Sequence, residues 1–165
     1  MAIAALLTWL VTALGGFWML SIWISRGGMS QQRSGTSRFP APVIFGHFLL
    51  AAAGLVVWIA YVVTHSRPLA WTAFALLLPV AALGFVMLLR WLPGWRASQA
   101  VPAASVRHGA PGRSAAATST ATATSTATVT ADAAEQHLPV LVILGHGLFA
   151  VVTLVLVLLT AAGVS

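Results

Sequence analysis

Four stretches of this chain run long and apolar, at about residues 2–25, 41–64, 69–91 and 138–162. The hydrocarbon core of a bilayer is about 30 Å thick, which a helix crosses in about 20 residues. No water reaches a backbone N–H or C=O in lipid, so each spanning segment must pair these groups within itself or close into a barrel. Barrel strands are far shorter than these runs, so each run reads as a helix. The expected fold is an all-α, polytopic membrane protein with four transmembrane helices.

Composition excludes the alternatives. Of 165 residues, 59% are hydrophobic and 6% charged, against roughly a quarter charged in a soluble domain. Disorder of the whole chain needs low hydrophobicity and high net charge. With no cysteine, disulfides and thiolate metal sites are excluded. The first span has no basic leader and no A-x-A-like cleavage site, and it exceeds a signal-peptide core, so it reads as a retained helix.

Charge gives an orientation. All eight basic residues are arginines. Arg26, Arg33 and Arg38 follow the first span, and Arg90, Arg96, Arg107 and Arg113 end or follow the third. Arg67 alone lies between the second and third spans. The positive-inside rule makes the seven-arginine side cytoplasmic and puts both termini outside. The arginines flank spans rather than form a basic patch, so the +6 net charge is assigned to the membrane and no nucleic-acid partner is expected. Abundant Ala with Arg in place of Lys suggests a bacterial source, hence a bacterial cytoplasmic membrane. Trp9 and Trp71 are expected at the outer interface, and Trp23, Trp91 and Trp95 at the inner one, as an aromatic belt. Residues 97–134 are mostly Ala, Thr, Ser, Pro and Gly with scattered Arg, with too little apolar bulk to offset ordering entropy, and read as a flexible cytoplasmic loop.

The spans repeat in pairs. At an offset of 99, Pro40, Val43, Ile44, Gly46, His47, Leu49 and Ala51 recur as Pro139, Val142, Ile143, Gly145, His146, Leu148 and Ala150. At an offset of 68, Gly16, Phe17, Met19, Leu20 and Trp23 recur as Gly84, Phe85, Met87, Leu88 and Trp91. This pattern suggests a duplicated two-helix hairpin, a parallel repeat about an axis along the membrane normal.

The repeat puts His47 and His146 at equal depth, roughly 11 Å inside the arginine-bearing end at 1.5 Å per residue. An ionisable side chain at that depth is costly against lipid and is expected to face the bundle interior. Gly46, Gly145 and Gly147 are expected to clear space beside the imidazoles. Two neutral imidazoles across a pseudo-two-fold suit the axial ligation of haem iron, with His47 and His146 as ligands. The pair resembles b-type membrane cytochromes in that geometry alone. The competing account makes each histidine a hydrogen-bonding group between helices. His65 lies on the face of His47 at the outer end, but the corresponding residue in the other unit is Val164, so no second ligand pair is expected. His108 and His137 fall in or beside the long loop.

Three function classes follow. The first is a small accessory or anchor protein working through helix–helix contacts, in a larger membrane complex or a homo-oligomer. The second is a bis-histidine haem b electron-transfer protein or subunit, exchanging electrons with a quinone or a partner subunit. The third is a small-solute transporter, suggested by Pro79 in the middle of the third span and by the glycines. Asp132 and Glu135 both lie outside the spans, so no intramembrane acid supports an ion pump. No catalytic residue set is apparent, and a redox role would be that of a non-catalytic electron carrier.

Overall fold

The computed structural model describes residues 1–35, 40–100 and 134–164. Helix α1 is Ala2–Ser25, α2 the short Gly28–Arg33, α3 Ala41–Thr64, α4 Arg67–Ala100 and α5 Val140–Ala162, with a 3-10 turn at Ala134–His137 before α5. Among the described residues, α1, α3, α4 and α5 are the helices long and apolar enough to cross a membrane. The protein is therefore an all-helical, multi-pass membrane protein. Of the loop expected over 97–134, residues 97–100 continue α4, and residues 101–133 lie outside the described residues.

Proline starts two helices the same way. Pro40 (φ −63°, ψ 130°) and Pro139 (φ −64°, ψ 125°) stand as N-caps of α3 and α5, extended residues whose missing N–H costs nothing at a helix entrance. Within α4, Pro79 and Pro93 sit inside one unbroken helix. A membrane helix accommodates proline because neighbouring groups satisfy the freed carbonyl. Helix α4 is continuous through Pro79, one of the features behind the transporter expectation.

The far ends of the helices are capped by particular residues. Gly163 ends α5 in the left-handed region (φ 83°). Arg67 then donates from its guanidinium to the carbonyls of Ala161 (3.2 Å) and Ala162 (3.1 Å). A cation at a helix C-terminus meets both the orphan carbonyls and the negative end of the dipole. This explains why one arginine lies on the side the others avoid.

The pairing of helices does not follow chain order. Helix α1 packs most extensively along α5, and α3 along α4, while α4 with α5 and α1 with α3 meet less closely. The bundle is thus two antiparallel pairs laid against each other, and each pair joins one helix from either half of the chain. At the end where α1 begins and α5 stops, a core of Ala5, Trp9, Trp58, Ala70, Ala73, Leu77, Val157 and Ala161 closes the pairs. Small residues there let backbones approach, and Gly54 lets Trp9 lie against α3, since a Cβ at residue 54 would sit 3.1 Å from the indole Cζ2. Trp58 also donates to the Ala2 carbonyl (3.4 Å). At the arginine-bearing end Trp23, Ile44, Trp91 and Ala134 form a second core.

The aromatic-belt expectation needs correction. Trp9, Trp23 and Trp91 are buried, whereas Trp71 is exposed. The three buried indoles face neighbouring helices because their positions share a face with Ala5, Gly16 and Gly84, and an indole fills the gap between two helix pairs better than an aliphatic chain.

Candidate functional site

The two histidines meet. His47 on α3 and His146 on α5 come from different helix pairs, and their ring centres lie 6.3 Å apart with planes inclined at 50°. Each ring is fixed by its own pair. His47 Nδ1 is 3.0 Å from the Val80 carbonyl of α4, and His146 Nδ1 is 2.9 Å from the Thr12 carbonyl of α1. A carbonyl only accepts, so both Nδ1 atoms donate, which leaves Nε2 of a neutral ring as the lone-pair nitrogen. No hydrogen bond among the described residues engages either Nε2.

The bracing obeys the sequence offsets. Val80 is Thr12 plus 68, just as His146 is His47 plus 99. Beside each acceptor carbonyl, one helical turn on, stands a glycine. A Cβ at Gly16 would lie 3.1 Å from Cε1 of His146, and one at Gly84 would lie 3.2 Å from Cε1 of His47. The carbonyl of a helical residue points toward the residue four ahead, so a glycine there leaves room for an imidazole from another helix to reach it. Gly15 adds a second close approach to His146, at 3.6 Å from Nδ1.

Around the rings lies a cavity of about 750 Å³ between the two helix pairs, walled by all four spanning helices. Pockets that hold cofactor-sized molecules fall at about 300–1,000 Å³. Thr12, Thr153 and the two histidines interrupt an otherwise apolar and aromatic wall. The cavity runs from Trp9 and Leu77 at one end to Trp23, Trp91 and Leu138 at the arginine-bearing end. Thr153, two turns beyond His146, is buried, and its hydroxyl is 2.9 Å from that of Thr8. Trp23 is also buried, yet its indole N–H has no hydrogen-bond partner among the described residues. An unpaired buried donor costs about 1–3 kcal/mol.

Of the glycines expected beside the imidazoles, Gly147 is on the cavity wall, while Gly46 and Gly145 are not. A Cβ at Gly46 would find Leu83 at 3.8 Å, and one at Gly145 or Gly147 would meet nothing within 4 Å. The glycines that approach the rings are Gly16 and Gly84, on the facing helices. Their signal was present in the sequence, because they head the second aligned segment, but which helix they face was not. His65 ends α3 in the left-handed region (φ 54°), its ring 6.4 Å from that of Tyr61, at the opposite end of α3 from the pair.

Among the described residues, no three His, Cys, Asp or Glu side chains come together as a metal site. A bare ion would receive two protein ligands here, whereas zinc takes about four. Haem iron brings four ring nitrogens and asks the protein for two. The sequence matches no protein-family model, no curated protein and no solved structure.

Proposed function

We propose that this protein binds haem b between its two helix pairs, with His47 and His146 as axial ligands, and acts as a membrane electron-transfer protein or subunit. The observation that carries the reading is the matched bracing of the two rings, each Nδ1–H held by a backbone carbonyl at 2.9–3.0 Å. Metal-ligating histidines characteristically donate their second N–H to such a group, which fixes the tautomer and raises ligand basicity. Separation supports it as well. Two imidazoles bound to one iron from opposite sides at about 2 Å per bond hold their ring centres about 6 Å apart, close to the 6.3 Å between these rings.

Haem held by His47 and His146 would supply one-electron chemistry at iron. The chain's own residues would keep the two imidazoles in place. The carbonyls of Thr12 and Val80 keep each imidazole oriented, Gly16 and Gly84 keep those carbonyls accessible, and the apolar wall excludes water. A quinone or a partner subunit would exchange the electron. An accessory role in a larger complex is compatible with this reading, as such a subunit would carry its haem there.

The same geometry supports descent from a duplicated two-helix hairpin. The acceptor carbonyls, the close glycines and the buried pairs Ala5 and Ala73, Trp23 and Trp91 recur at an offset of 68, and the histidines recur at 99. The arginine distribution favours a bacterial cytoplasmic membrane with the end that carries Arg26, Arg33, Arg90 and Arg96 inside and both termini outside.

The test is a reduced-minus-oxidised visible spectrum of detergent-purified protein expressed with haem supplied. A low-spin b-type spectrum is expected in the wild type and is lost in both His47→Ala and His146→Ala. Folded wild-type protein with no such spectrum overturns the proposal.

A further inference from the structure

The cavity has two unlike ends. At its outer end Trp9 and Leu77 are packed into a closed apolar core with Trp58 and Val157. At the other end the wall includes Trp23, which is 3% exposed and whose Nε1 has no hydrogen-bond partner among the described residues. Buried N–H groups are nearly always paired, and a bundle surrounded by lipid has little water to do it. The ring is held in place, because Gly28 lies flat against the indole and any side chain there would overlap it. Trp91, its counterpart at the offset of 68, is instead stacked on Trp95 at 5.6 Å and 18°. Of the described arginines, Arg26, Arg33, Arg90 and Arg96 belong to the Trp23 end, while Arg67 is committed to the carbonyls of α5 at the other.

From these observations we infer that the ligand of the histidine pair carries an anionic carboxylate edge that points toward the arginine-bearing end, and that the Trp23 indole N–H donates to it. The inference rests on the haem reading and adds the orientation of the bound group. Haem b is amphipathic, with two carboxylates on one edge of an otherwise apolar ring. The apolar outer end would leave those carboxylates desolvated and unpaired, at high cost. The other end offers a buried donor and a positive potential. Trp23 lies seven residues beyond Gly16, roughly 10 Å along the helix from the level of the imidazoles, the direction and reach that a ring edge with a short carboxylate arm requires.

The experiment titrates detergent-solubilised apoprotein with ferric haem and, separately, with its dimethyl ester, following the Soret band in wild type and Trp23→Phe. Wild type is expected to favour the free acid by about tenfold, the size of one charge-assisted hydrogen bond. Trp23→Phe is expected to bind the ester as wild type does and to lose the preference for the acid. Because the readout is a ratio within each protein, ester binding also reports that the variant is folded. Retention of the full preference in Trp23→Phe overturns the inference and leaves the haem reading standing. Failure of wild type to bind either form overturns both. Should Trp23→Phe fail to fold, wild-type protein labelled with 15N in the indole decides. The Trp23 N–H resonance moves downfield with the acid and not with the ester if the inference holds, and responds alike to both if it does not.

Discussion

The two ends of the bundle differ in how far residues related by the offsets of 68 and 99 match. At the end where α1 begins and α5 stops, the large residues at related positions differ. Trp9 corresponds to Leu77, Trp58 to Val157, and Gly54 to Thr153. All of these take part in close packing at that end or beside it. At the arginine-bearing end several equivalent positions match, with Gly16 and Gly84, Trp23 and Trp91, Ile44 and Ile143, His47 and His146. Packing needs only that volumes sum to a filled space, so it does not require matching identities. A shared ligand role for the two histidines, as proposed, would require matching chemistry at one depth. Thr12 and Val80 differ in side chain but meet the imidazoles through their carbonyls.

This contrast can be broken by substitutions in either half. The largest effect on stability is expected outside the site. Trp58→Ala leaves a cavity in the core it shares with Trp9 and Val157 and should cost about 3–5 kcal/mol, read as a lowered unfolding midpoint in detergent. The folded fraction should keep the spectrum of the histidine pair, and a changed spectrum would show that the halves are not separable. Next comes Gly84→Leu, and equally Gly16→Leu, which pushes an imidazole off its carbonyl. Loss of such a supporting contact typically weakens metal affinity 10–100-fold, here read as haem affinity with global stability little altered. If Gly16→Leu and Gly84→Leu differed widely, the symmetric account of the site would be wrong. Smallest is Arg67→Gln, which frees the last carbonyls of α5. It should cost at most about 1 kcal/mol, seen as faster amide exchange in the last turn of α5, with the spectrum unchanged.

Much of this arrangement was legible from residue order. The four apolar runs correspond to α1, α3, α4 and α5, and the alignment of Pro40–Ala51 with Pro139–Ala150 placed both histidines at one depth. The third span was read as ending near Trp91, whereas α4 runs to Ala100 through Pro93. A proline stops a helix in water but is tolerated where neighbouring helices satisfy the backbone. The glycines beside the histidines in sequence, Gly46 and Gly145, turned out to line no part of the cavity, and those beside them in space lie on α1 and α4. Neighbours along a helix lie about 100° apart round the axis, so the residue after each histidine, Phe48 or Gly147, turns toward the cavity while the glycine before it turns away.

The sequence by itself determined the number of spans and that each is a helix, because lipid offers the backbone no other partner. It also determined the depth of the histidines, which is only a count of residues. Tertiary structure alone decided that α1 lies along α5 and α3 along α4, and with that which carbonyl receives each Nδ1–H and which glycine makes room for each ring. Helix pairing in a membrane is settled by close packing among surfaces that are all similarly apolar. No local pattern in the chain records which of those surfaces meet.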